Sequence, residues 1–260
     1  MYKLLIVLSL FIFDFKIALG QSDEMIEIVY EARVIYDLDQ VEVFGKSIRN
    51  TDFEKAYREV EKERFEFNML LNSNSSYFEP IKKIDNNQYE NMSDPGKIKI
   101  IPTLGNPTFK DLNKGIYYLS SDYTGELVYI SESIPEYNWE IQKDTKEILG
   151  YEVRKAVCTF NNKGLTAWYA PKLPYSNGPK LVGGLPGLIL ELETDNIGED
   201  KATHIFTAKS IKVKSKSSKL DKFGPKKNSK IMTRAEFNIE VEKIKEKQKE
   251  FFKSDAVDKD

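Results

Sequence analysis

The apolar residues Ile26, Ile28, Tyr30, Ala32, Val34, Tyr36 and Leu38 alternate with mostly polar neighbours, among them Glu27, Glu31, Arg33 and Asp37. Successive side chains of an extended strand point to opposite faces, so this period of two predicts one long, half-buried strand. Phe65, Phe67, Met69 and Leu71 repeat the pattern and predict a second strand, ahead of a turn at Asn72 to Ser76. Between the two lies Thr51-Asp52-Phe53-Glu54, a capping-box pattern. Phe53, Tyr57 and Val60 follow at helical spacing, so a short surface helix is expected there. The stretch from Tyr77 to Phe109 is weakly patterned and rich in Asn, Pro, Gly and Lys, and reads as an extended loop.

From residue 116 the pattern is that of a meander. Short strands are expected at Ile116 to Ser120, Glu126 to Ile130, Tyr137 to Lys143, Tyr151 to Phe160, Thr166 to Ala170, Leu188 to Thr194 and Thr203 to Val213. Turn chemistry separates them, at Asp122 to Gly125, Asn161 to Gly164, Asn177-Gly178-Pro179 and Asp195 to Gly198. Near the C-terminus Thr233-Arg234-Ala235-Glu236 is a second capping box. Phe237, Val241, Ile244 and Phe251 then form an apolar stripe flanked by Glu/Lys pairs, predicting an amphipathic helix that docks by that stripe. The expected fold class is α+β, mainly β: a single curved antiparallel sheet, a half barrel in outline, with the C-terminal helix packed on it.

Composition narrows the function classes. The 260 residues hold 39 Lys and Arg against 41 Asp and Glu, a net charge of −2, which disfavours a nucleic-acid partner. Hydrophobic content of 40% is enough for a folded core. Residues 1–20 read as a secretory signal: Lys3, an apolar run from Leu4 to Phe13, and Ala18-Leu19-Gly20 at the cleavage position. Asp14 and Lys16 interrupt the run and argue against a membrane anchor. The organisation expected is a signal at 1–20, one β-rich domain over 21–252 and a frayed tail at 253–260. Inside that domain, 209–232 is a lysine-rich strand end and linker, with nine lysines between Lys209 and Lys230, and 233–252 is the amphipathic helix.

Candidate chemistry is sparse. His204 is the only histidine and Cys158 the only cysteine, so no multi-histidine metal site, internal disulfide or Ser-His-Asp elbow can be assembled. Both sit in alternating strands and read as structural. No catalytic residue, metal or cofactor is expected. One aromatic and proline-rich constellation stands out as a candidate ligand or partner surface: Trp168, Tyr169, Pro171 and Pro174, with the turn at Gly178 and Pro179.

The block Gly184-Leu185-Pro186-Gly187-Leu188-Ile189 combines a residue free to take φ > 0 with one of fixed φ, and so makes a backbone corner leading into a strand. It carries no nucleophile, base or ligand. This hexapeptide resembles the signature of the GLPGLI family. The resemblance extends through Trp139-Glu140-Ile141, Lys146 to Tyr151, Lys155-Ala156, Ala167 to Pro171, Leu173-Pro174 and Gly178-Pro179. It implies an exported protein of the Gram-negative envelope, in the periplasm, at the outer-membrane surface or outside the cell, with no established activity. The function expected on these grounds is a non-catalytic envelope protein that binds an apolar small ligand or an envelope protein partner. An envelope hydrolase, or a purely structural or adhesion protein, is the alternative.

Overall fold

The computed structural model describes residues 24–81, 104–195, 201–214 and 220–257. The stretch 1–20 read as a signal, the cleavage position expected after it and most of the stretch read as a loop lie outside these residues. Twelve strands form one curved sheet that does not close on itself. In chain order its strands are β1 (Met25–Tyr36), β4 (Phe65–Leu71), β5 (Ser75–Pro80), β6 (Thr108–Asp111), β7 (Ile116–Ser121) and β8 (Val128–Ser133), followed by β9 (Glu140–Ile148), β10 (Tyr151–Phe160), β11 (Lys163–Ala170), β12 (Leu188–Thr194), β13 (Ala202–Lys214) and β14 (Lys230–Thr233). A separate hairpin pairs β2 (Glu42–Val43) with β3 (Lys46–Ser47). Across the sheet the order is β14-β8-β7-β6-β5-β4-β1-β13-β12-β11-β10-β9. Every pairing is antiparallel except β14 with β8.

The long first strand behaves as its alternation requires. Ile26, Ile28, Tyr30, Ala32, Val34 and Tyr36 are buried on one face, and Glu27, Val29 and Glu31 are half-buried on the other. The helix α1 (Asp52–Lys62) covers part of the inner face, with Val60 buried and Tyr57 edge-on to Tyr36 at a centroid distance of 4.6 Å. Thr51 caps it by accepting from the Glu54 N–H at 3.4 Å. The segment 171–187 covers more of that face through buried Val182 and Leu185. Asn161 and Asn162, with φ of 50° and 61°, make the two-residue turn between β10 and β11, where asparagine tolerates the left-handed region.

Three features depart from the sequence reading. The stretch 77–109 expected to be a loop holds most of β5 and the start of β6, and the linker expected up to residue 232 holds most of β14. Ser-Ser-Tyr-Phe-Glu-Pro and Thr-Phe-Lys-Asp bury Ser75, Ser76, Thr108 and Lys110, so a hydrophobic count misses both strands. The third departure is a bulge in β12, where Glu191 pairs with Trp168 and Ile189 with Tyr169, leaving Leu190 as the extra residue. It breaks the alternation expected from Leu188 onward and lets Leu188, Ile189 and Leu190 all be buried. The C-terminal helix α2 (Arg234–Val257) begins with the expected capping box: the Thr233 N–H donates to Glu236 Oε2 at 2.7 Å, and the Glu236 N–H to Thr233 Oγ1 at 3.2 Å. Its first turn is tied to β8 by Arg234 and Glu132 at 2.9 Å, while Phe237, Val241 and Ile244 are half-buried.

Candidate functional site

On the outer face, β1, β4 and β5 lie side by side, and their register sets Val29, Asn68 and Glu79 in one cross-strand row. Glu27 sits two residues back along β1 on the same face, as the strand period requires. With Pro80 and Ile81 these residues line an open cleft of about 420 Å³. Glu27 and Glu79 are two strands apart, ~10 Å at the backbone given normal strand spacing.

The polar groups of this cleft are mainly acceptors. Glu27 pairs with Lys214 of β13 at 2.8 Å, which holds its carboxylate in place and leaves oxygen lone pairs over. Glu79 accepts from the Tyr77 hydroxyl at 3.1 Å. Burial and the Glu79 carboxylate together push the Tyr77 pKa up, so Tyr77 stays a neutral donor. Its ring stacks on Phe223 at 4.0 Å, and Phe223 belongs to the 3-10 turn Leu220–Phe223. Asn68 Oδ1 is shielded from solvent and has no hydrogen-bond partner. Acceptors beside the apolar Val29, Pro80 and Ile81 suit a ligand that carries hydroxyl or amide N–H donors on a hydrophobic frame. Sequence reasoning missed all of these residues. A polar residue on the outer face of a strand is ordinary, and only the register joins residues 27, 68 and 79.

The residues singled out in the sequence are distributed differently. Trp168 is half-buried on the outer face, with the Lys146 Nζ 4.2 Å from its ring centroid and Lys146 paired to Glu191 at 2.6 Å. Tyr169 is buried on the opposite side, Pro171 and Pro174 are exposed, and Gly178 and Pro179 are buried. The corner at 184–189 is bonded into the core. Trp139 Nε1 donates to the Gly183 carbonyl at 2.8 Å, and the buried Tyr30 hydroxyl donates to the Ile189 carbonyl at 2.7 Å. A Cβ on Gly187 would lie 2.3 Å from the Ala170 carbonyl oxygen, so no other residue fits. Cys158 is buried, and burial pushes its thiol up to about 11, far from a reactive thiolate. His204 is buried in β13, with Lys180 Nζ 3.5 Å from its Nδ1. Among the described residues no group of three or more His, Cys, Asp or Glu could hold a metal ion. None of their helices is long and apolar enough to cross a membrane.

Residues 126–230 match a family profile described as "N-glycanase peptide, N-terminal domain". Two crystal forms of PNGF-II share the fold. The C2 form has a TM-score of 0.53 at 16% identity, covering 84% of this chain and 32% of that one. The P21 form has a TM-score of 0.52 at 17% identity, covering 84% and 33%. The chain thus spans about a third of the length of those structures. A LolA superfamily protein from Nitrosomonas europaea aligns over 77% of this chain with a TM-score of only 0.32 and 7% identity. No curated protein matches the chain.

These matches correct the family expected from the sequence. The anchors that resemble the GLPGLI family run from Trp139 to Leu190 and all fall within the stretch matched by the N-glycanase domain profile. They mark a corner that the packing of Gly187 and Trp139 demands, and a structural corner does not separate one family from another. The non-catalytic envelope binder inferred from that resemblance falls with it, and the hydrolase alternative fits the matches better.

Proposed function

We propose that this chain serves the hydrolytic removal of N-linked glycans, as the domain that meets the glycoprotein alongside a separate hydrolytic unit. The observation that carries this reading is the match of residues 126–230 to the N-terminal domain of an N-glycanase, supported by the shared fold. In this reading the sheet is a half barrel whose outer cleft takes part of the glycan. Glu27 and Glu79 accept hydrogen bonds from sugar hydroxyls or an acetamido N–H, a rotation of the Asn68 side chain brings its shielded, unpartnered Oδ1 to the ligand, and Val29, Pro80 and Ile81 meet the ring's apolar face. Unpaired buried acceptors favour a ligand that satisfies them, since each costs ~1–3 kcal/mol when left alone. Substrates of this class are extracytoplasmic glycoproteins, which is where the signal at 1–20 would deliver the chain.

The test compares binding of the mature chain to an N-glycosylated protein and to the same protein stripped of its glycans. The glycosylated form should bind at least about tenfold tighter, a difference of ~1.4 kcal/mol. Asn68→Ala and Glu79→Gln should each remove most of that preference without lowering thermal stability. Equal affinity for the two forms would refute the reading. Glycan release by the chain alone would place the reaction within it and overturn the division of labour.

A further inference from the structure

Opposite the outer cleft, three polar side chains are shut away from solvent with bonding capacity unused. Lys110, in β6, is 2% exposed. Its Nζ donates to Asn177 Oδ1 and, at 3.2 Å, to the Gly178 carbonyl, which leaves one N–H free. No described carboxylate forms an ion pair with it, and burial alone pushes its pKa down to about 7. Asn177 is 1% exposed, and its Oδ1 also accepts from the Gly178 N–H at 2.9 Å. Two N–H donors on one oxygen fix the orientation of the amide, so Nδ2 is the end without a partner. Because both atoms belong to one carboxamide, Nδ2 lies within about 5 Å of Lys110 Nζ. Ser76 is fully buried and directly opposite Lys110 across the β5–β6 pair, which places it on the same face with Cβ atoms ~5 Å apart. Its Oγ has no partner either.

We propose that Lys110, Asn177 and Ser76 form a buried binding site for a small monovalent anion of halide size. The free groups are a lysine N–H, both N–H bonds of the Asn177 amide and the Ser76 hydroxyl, and all of them can donate. A water would take two of these donors on its lone pairs and return its hydrogens to Ser76 Oγ and the second lone pair of the Gly178 carbonyl, but it would leave a protonated Lys110 with no counter-charge. An anion brings acceptor capacity with no hydrogens to place, and supplies the counter-charge that a protonated Lys110 lacks. Native structures leave few buried polar groups unpaired, and three such groups on neighbouring side chains call for a common partner. Each of the three residues is at most 2% exposed, so the occupant enters during local opening and must be small. Its structural effect would be to fasten the 171–187 segment, through Asn177, to β5 and β6.

Crystals of the mature chain soaked in sodium bromide test the site directly by anomalous scattering at the bromine edge. A peak within hydrogen-bonding reach of Lys110 Nζ and Asn177 Nδ2 is expected. In solution, replacing gluconate by chloride at equal ionic strength should raise the melting midpoint by about 3–6 °C once chloride exceeds its Kd roughly tenfold. Lys110→Met should abolish that rise. Ser76→Ala, a smaller change that leaves the lysine in place, should reduce it. A site filled by density without anomalous signal, an empty site, or equal midpoints in both salts for the wild-type chain would each overturn the proposal.

Discussion

Replacing Gly187 by alanine tests whether the corner at 184–189 is a structural joint. The added Cβ would lie 2.3 Å from the Ala170 carbonyl oxygen, 2.7 Å from its carbon and 3.0 Å from Pro171 Cα, all of them backbone atoms. Its φ of 159° also lies where L-residues rarely go. Relief requires the chain to move by about 1 Å, against a set of short bonds. The Gly187 N–H donates to the Leu185 carbonyl at 2.8 Å, the Leu188 N–H to Leu173 at 2.9 Å, and the Ile189 N–H to Asn177 at 2.9 Å. Overpacking costs ~1–3 kcal/mol and one broken buried bond another ~1–3 kcal/mol, while the stiffer unfolded chain returns ~0.4–1 kcal/mol. The net loss is about 1–5 kcal/mol, or about 2–20 °C in melting midpoint for a domain of this size. Gly184→Ala is the control: its φ is also positive, at 86°, but the new Cβ meets only the Trp139 ring, at 3.7 and 3.9 Å. It should lose only the backbone component, about 1–2 kcal/mol. Denaturant melts followed by circular dichroism measure both. If Gly187→Ala melts like the wild type, or Gly184→Ala falls as far, steric closure at Gly187 is not what holds the corner.

Two further outcomes are expected. Lys110 releases its proton near pH 7 when folded and near 10.5 when unfolded, so the unfolded chain binds more protons between those values. In halide-free buffer, stability should therefore rise with a slope of up to ~1.4 kcal/mol per pH unit from about pH 7 to 9, and Lys110→Met should flatten it. Above pH 9 the slope should diminish, because the unfolded thiol of Cys158 ionises there while the folded one is held up to about 11. Tyr30→Phe should cost about 1–2 kcal/mol, since it deletes the buried bond to the Ile189 carbonyl and little volume. Equal denaturation midpoints for the two proteins would show that this bond contributes nothing to joining the first strand to β12.

What could be read from the residues alone was local. The alternation of β1, the caps at Thr51 and Thr233 and the Asn161-Asn162 turn each depend on residues within a few positions of one another. Side-chain period, first-turn N–H groups and left-handed tolerance are properties of such short stretches. A mainly β chain with a C-terminal helix follows from summing them. The tertiary structure decided whatever depends on who sits beside whom. Ser75 to Pro80 and Thr108 to Asp111 are strands because β4 and β7 flank them and satisfy their backbones, not because of their own hydrophobicity. The bulge in β12 turned the start of an alternating segment, Leu188 to Leu190, into one buried on both sides. The outer cleft unites residues some fifty positions apart through register alone, so no sequence window contains it. The burial of Lys110 was illegible for the same reason: its environment is made by Asn177 and Gly178, whose positions only the packed chain defines.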